Sequence, residues 1–198
     1  MTTLTFPSRA PNRSVFTYES NAIAHQSWLT GFLQSQSFGG EHIRAALIWH
    51  DLTAAQRAEL TGWVADLNGM QNRLLLPVHH ITQQGAFGGT PLVDGVNQSG
   101  IQINLKGASN NITDWIKAGD WFSINDELKL CREDASSGGG GLVTVKFRPR
   151  IRTAPADSAA VEVTNPVGKF MLATSSVSWS NRPGGFSELS MEFVEDVI

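Results

Sequence analysis

HIRAALIWHDLTAAQRAELTGWVADLNG, residues 42–69, decides the reading of this chain because its hydrophobic period changes midway. From His42 to His50 the apolar residues Ile43, Ala45, Leu47 and Trp49 are set against Arg44 and His50, the two-residue period of a strand with one face in a core. From Thr53 the spacing widens to helical intervals, with Leu60, Trp63, Val64 and Leu67 on one stripe. Thr53 is an N-cap and Gln56, three residues later, completes a capping box. Asn68-Gly69 then supplies residues that tolerate the left-handed conformation closing many helices. A strand followed by a helix over residues 53–68 is therefore predicted.

Outward from this stretch the chain reads as strands. Arg73 to Ile81 is rich in Leu and Val, with Pro77 marking an edge or a bulge, and it precedes the loop Gln84-Gly-Ala-Phe-Gly-Gly89. Upstream, Trp28, Thr30, Phe32, Gln34 and Gln36 share one parity, as in a strand with one apolar and one polar end. Between Thr90 and Asn165 the texture changes to short strands separated by turn residues. Ile101, Ile103 and Leu105 alternate with polar neighbours, and Asn125-Asp126 reads as the two-residue turn of a hairpin whose arms are 120–124 and 127–131. Ser136 to Gly141 is a loop leading into a strand from Leu142 to Arg148, which Pro149 is expected to end. Lys169–Ala173, Val177–Ser180 and Phe186–Val194 follow, the last with Leu189, Met191 and Phe193 on one face and Glu188, Ser190 and Glu192 on the other.

Because the two ends of a domain often meet, the expected architecture is mainly β: residues 1–89 and 166–198 form a discontinuous β-sandwich carrying the helix, and residues 90–165 form an inserted, small β-barrel-like module. Removing that module and joining its ends is expected to leave a foldable remainder.

Composition excludes several function classes. The chain has 198 residues and a net charge of −3, and its 15 basic residues are scattered apart from Arg148, Arg150 and Arg152, so no nucleic-acid recognition is expected. No apolar run approaches the roughly 18 residues of a membrane span, and MTTLTFP at the start lacks a basic segment leading into an apolar one, so neither membrane insertion nor export is expected. The acceptor patterns at Asn12, Asn97 and Asn111 accordingly carry no weight. Cys131 is the only cysteine and has no internal partner. Only 17% of residues are charged, against about 25% in an average domain, a surface suited to protein packing.

Candidate reaction centres are each answered by a plainer reading. Adjacent His79 and His80 point to opposite faces of a regular strand and have no other ligand at metal spacing. The glycine clusters 85–89 and 138–141 lack the lysine and the following helix of a phosphate loop. The pairs Asp120/Asp126 and Glu188/Glu192 read as solvated charge at a turn and on the polar face of a strand. No Gly-x-Ser-x-Gly elbow is present. Neither a catalytic residue, a metal nor a cofactor is assigned. Of the six tryptophans, Trp49 and Trp63 fit core positions by periodicity. Trp115 and Trp121 flank a Gly-Asp turn, where partial exposure would allow a ring to stack on a sugar, although core packing is the stronger reading for any single tryptophan.

Several segments also resemble a known family. ALIWHDLTAAQRAEL (46–60) and NRLLLP (72–77) are similar to the strand and helix near the front of distal tail and baseplate hub proteins of long-tailed, siphovirus-type bacteriophages and prophages. IKAGDWFSI (116–124), VTVKFRP (143–149) and NPVGKFMLA (165–173) resemble their later landmarks. The resemblance implies a virion protein, made in the host bacterial cytoplasm, that forms a homohexameric ring at the tail tip. Its β-sandwich would make the ring, joining the tail tube protein above to the hub and the receptor-binding or fibre proteins below, while the inserted module projects outward. It carries no catalytic residue, and the long second half of some Gram-positive phage members is missing. On this reading Trp28, Phe32, Trp115 and Trp121 are the candidate binding residues, as ring interface or as exposed aromatics. A carbohydrate-binding module, a glycan-degrading tail enzyme and another tail ring, such as a tube or terminator subunit, stand as alternatives.

Overall fold

The computed structural model describes residues 2–196; Met1, Val197 and Ile198, which the expected sandwich boundaries include, lie outside the described residues. The chain begins with β1 (Thr3–Thr5), β2 (Arg13–Glu19), β3 (Ala22–Gln26) and β4 (Leu33–Ser37), then runs through β5 (His42–Leu52) into α1 (Ala54–Leu67) and β6 (Arg73–Pro77). Six strands follow: β7 (Gly89–Val93), β8 (Gly100–Ala108), β9 (Trp121–Ile124), β10 (Glu127–Cys131), β11 (Val143–Ile151) and β12 (Val161–Glu162). It returns as β13 (Val167–Leu172), β14 (Trp179–Asn181) and β15 (Ser187–Glu195). The protein is mainly β with one helix among the described residues, the fold class expected.

Seven strands form one sheet in the order β1-β6-β13-β15-β5-β2, with β14 added against β15. Among the described residues only the β1–β6 pair of this sheet is parallel. The alternation in β5 has the predicted consequence. Ile43, Ala45, Leu47 and Trp49 face the core with Leu189, Met191 and Phe193 of β15, Phe170 and Leu172 of β13, and Leu74 and Leu76 of β6. α1 lies on that face. Thr53 caps it in extended conformation, the capping box with Gln56 forms on both sides, and Asn68 closes it at φ 49°. Leu60 and Leu67 are fully buried, with Trp63 and Val64 packed at the rim.

The second sheet, β12-β9-β10-β11-β8-β7, is a nearly closed barrel. Its seam lies where Val93 of β7 exchanges backbone hydrogen bonds with Ser158 and Ala159, both at 2.9 Å, just before β12. Alternate residues fill the interior, among them Ile103, Leu105, Phe122, Val143, Val145 and Phe147. Asn125 and Asp126, at φ 52° and 62°, form the predicted turn between β9 and β10. The chain enters and leaves this sheet at neighbouring points, since Pro77 of β6 lies opposite Val167 of β13.

The two sheets meet along β9, β10 and β13. Trp121, Leu128 and Leu130 pack into the core of the seven-stranded sheet. Gly168 permits this approach, because a Cβ there would lie 3.0 Å from the Leu128 side chain and 2.6 Å from the Phe170 ring. Ion pairs border the junction: Arg152 joins the buried carboxylate of Glu195 at 3.0 Å and the backbone oxygen of Glu41 at 2.7 Å, and Arg148 pairs with the Glu41 carboxylate. Burial raises the pKa of Glu41, but the hydrogen bond and charge of Arg148 outweigh it and hold the group below its ordinary value. Lys129, fully buried, is held by Glu127 at 2.7 Å and by the Arg150 carbonyl at 3.0 Å.

Three element boundaries differ from expectation. The strand at Arg73 stops at Pro77, and His80 has a φ of 60°. Pro149 does not end its strand. β11 continues to Ile151 because its pairing with β8 is interrupted between Lys146 and Ile151, so the missing proline N–H costs no ladder hydrogen bond. The single strand from Trp28 to Gln36 is replaced by a hairpin, β3 and β4, with Trp28 and Thr30 in its turn.

Candidate functional site

The β3–β4 hairpin is the feature that the rest of the fold does not explain. It belongs to neither larger sheet, and every residue of both strands is exposed. An isolated two-stranded hairpin is marginally stable in water, yet the turn is well built. Ser27 donates its N–H to the Phe32 carbonyl and Gly31 donates to the Ser27 carbonyl, each at 2.9 Å, while the Gln26 side chain donates to the Gly31 carbonyl at 3.2 Å. Gly31 takes a φ of 71°, which a larger residue would resist. At the root, Phe38 N–H donates to the Asn21 carbonyl at 2.9 Å.

The arm carries a concentrated apolar load. Trp28 is 93% exposed and Phe32 78%, and Ile23, Leu29, Leu33 and Phe38 are exposed beside them. From Ser20 to Gly40 there is no Asp, Glu, Lys or Arg. Scattered apolar surface residues are ordinary, but six large apolar side chains open to water on one uncharged hairpin, four of them between Trp28 and Leu33, mark an interaction surface.

Two of the four candidate residues therefore lie together on this arm, at its tip. The other two are corrected. Trp115 is fully buried, its indole N–H donating to the Gly88 carbonyl at 3.0 Å with Phe87 edge-on against it. Trp121 is 6% exposed and packs against Phe16 at the junction of the sheets. The two flank a turn in sequence, but closure of the barrel and its docking on the larger sheet cover them. Asp120 likewise is not solvated charge. It is 1% exposed, and its carboxylate accepts from the backbone N–H groups of Gln84, Gly85 and Lys117 at 2.6, 2.8 and 2.8 Å. It fastens the linker after β6 onto the barrel, with Gln83 bonded to the backbone N–H of Trp121 at 2.8 Å beside it.

The remaining titratable groups have structural surroundings. His79 packs against Phe6, the rings tilted with centroids 4.7 Å apart, and burial, then the neighbouring His80, pushes its pKa down to about 4. His80 lies 2.7 Å from the Pro11 carbonyl. Burial pushes the Cys131 thiol up to about 11, leaving it without the thiolate character that reactivity needs. Glu188 pairs with Arg182 on the surface. Among the described residues, no group of three His, Cys, Asp or Glu side chains could hold a metal ion, and no helix is long and apolar enough to cross a membrane.

Sequence reasoning picked out Trp28 and Phe32 but missed Ile23, Leu29, Leu33 and Phe38. The available signal was the uncharged run from 20 to 40, punctuated by Gly31. No protein-family model and no curated protein matches the chain.

Proposed function

We propose that this protein is a structural component of a bacteriophage tail tip, a distal tail protein that forms a six-membered ring joining the tail tube to the hub and the receptor-binding apparatus. It works by assembly, takes no cofactor, and reaches the virion from the host cytoplasm. The observation that carries this reading is the uncharged arm of β3 and β4, which leaves Trp28, Leu29, Phe32 and Leu33 in water. Fully burying a large apolar side chain stabilises by about 1.5–3 kcal/mol, so the arm gains most when a partner covers it. The resemblance of the segments from Ala46 to Ala173 to distal tail proteins supports the family, and the number six is what that resemblance implies.

A carbohydrate-binding module would need flat aromatic rings open to solvent on a rigid platform. Trp115 and Trp121, the rings best placed in sequence for that role, are buried. Electron microscopy of the intact virion tests the proposal. The expected result is six copies of this chain around the tail axis, between tube and hub. Density for the chain as an isolated lateral appendage, or its absence from purified particles, would overturn it.

A further inference from the structure

Two glutamates bracket the arm. Between Glu19, the last residue of β2, and Glu41, just before β5, the chain has no Asp, Glu, Lys or Arg, and each glutamate is held by two partners. Glu19 lies 3.0 Å from Nε2 of His42 and 2.9 Å from Nε of Arg44. Glu41 is gripped by Arg148 at its carboxylate and by Arg152 at its carbonyl, both from β11 of the barrel. The arm thus stands on a mount fixed to both sheets.

Above that mount nothing else ties the arm down. Among the described residues, every hydrogen bond made by residues 22–38 stays within residues 20–38. Two connections lead to it, Ser20–Asn21 and Gly39–Gly40, and the bond from the Phe38 N–H to the Asn21 carbonyl joins them, so that the hairpin moves as one body. Gly39 and Gly40 take φ of 74° and 75°. A Cβ on either would meet nothing closer than 3.6 Å, so glycine is needed here for backbone freedom rather than for room. A few element-terminal residues of this kind are what absorbs the φ/ψ change of a hinge.

His42 sits at the foot of this hinge with both ring nitrogens on acceptors. Nε2 faces the Glu19 carboxylate, and Nδ1 lies 3.2 Å from the Gly40 carbonyl. A neutral imidazole has one N–H and can serve only one of them, whereas the imidazolium donates to both. The charged groups around it are Glu19 of β2, Arg44 of β5 on the same carboxylate oxygen, Glu41 with its two arginines of β11, and Glu195 of β15, whose carboxylate accepts from the Ile43 N–H at 3.1 Å. We propose that residues 20–40 swing as a hinged arm about Asn21 and Gly39–Gly40, and that protonated His42 is the latch, bridging the Glu19 carboxylate to the Gly40 carbonyl and stiffening the pivot. When His42 loses its proton one of the two bonds goes, and the arm is released while both sheets stay intact. The device works within a single subunit and does not depend on the ring.

Spin labels on the full chain test this, at Gln34→Cys on the arm and Ala58→Cys on α1, both exposed positions. Cys131 is buried with its thiol pushed up to about 11 and so resists labelling. Labelled chain is diluted into unlabelled chain, and distance distributions are measured by pulsed electron spin resonance at about pH 5 and about pH 8, either side of the range where imidazole changes charge. The arm distribution is expected to be narrow at the lower pH and about twofold wider, or more, at the higher. A second pair, Ala58→Cys with Gln102→Cys on the barrel, should stay narrow at both. His42→Gln should abolish the pH dependence, Glu19→Gln should move its midpoint to lower pH, and His25→Gln, on the arm itself, should leave it in place. Gly39→Ala with Gly40→Ala should remove the widening at the higher pH. An arm distribution that ignores pH, a pH dependence that survives His42→Gln, or a barrel pair that widens in step with the arm would overturn the proposal. A distribution that stays wide in the double alanine variant would reject Gly39–Gly40 as the pivot.

Discussion

His79 and Asp120 look alike in the sequence, as polar residues beside turns, but the fold uses them differently. His79 is neutral in its site because burial against Phe6 disfavours the imidazolium, taking its pKa from 6.5 to about 4. Between those values the unfolded chain binds a proton that the folded chain does not, so stability is full above 6.5 and is lost as pH falls. Denaturant titrations are expected to show wild type losing about 1–2 kcal/mol more than His79→Phe between pH 6.5 and about 5. Asp120 accepts three backbone N–H groups, and a buried donor left without its charged acceptor is costly. Asp120→Ala should lower unfolding stability by about 3–5 kcal/mol, and Asp120→Asn by roughly half as much, in the same titration. Adjacent sequence carries no sign of this role, because the amides of Gln84 and Gly85 come from a distant segment.

At the scale of the element, what could be read depended on whether local chemistry sufficed. α1 was legible because its capping box and its stripe are set within one stretch, and the β9–β10 turn because Asn125 and Asp126 both accept positive φ. The arm was misread because parity was carried across Gly31, where the chain reverses. Trp115 and Trp121 were expected near the surface because they flank a turn, whereas barrel closure, a contact between distant strands, covers them. α1 also shows the limit of periodicity. Leu60 and Leu67 vanish from solvent, but Trp63 sits at the rim, its indole N–H donating to the Thr5 carbonyl at 3.2 Å and its ring against Phe6 and Phe193. Trp63→Ala is expected to cost about 2–4 kcal/mol, less than a fully enclosed tryptophan, and to loosen β1. Hydrogen exchange at Thr3–Thr5 is the direct readout.

For the whole molecule, the order of strands reflects the texture change at Thr90 and Asn165. The second sheet uses residues 89–162 and the first uses residues on both sides. What texture could not convey is the shared junction. Trp121 and Leu128 belong to the core of the larger sheet, and Arg152 is the partner of Glu195. Excising residues 90–165 behind a short linker would therefore expose Leu74, Phe170 and the buried Glu195 carboxylate, although Pro77 and Val167 already lie side by side. The excised chain is expected to melt well below the full chain in calorimetry. Restoring polar residues at the uncovered positions should recover cooperativity, and an excised chain as stable as the parent would show the junction to be energetically idle.

The arm also has a consequence for proteolysis. Between Arg13 and Arg44 there is no lysine or arginine, so trypsin has no peptide bond to cut on the hairpin, while chymotrypsin meets Trp28, Leu29, Phe32, Leu33 and Phe38 in the open. Free subunits should be nicked by chymotrypsin within this segment and ignored there by trypsin. Once the arm is covered, the chymotryptic cuts should disappear and the tryptic pattern there should stay the same, giving a fragmentation signature of assembly that can be read on a gel.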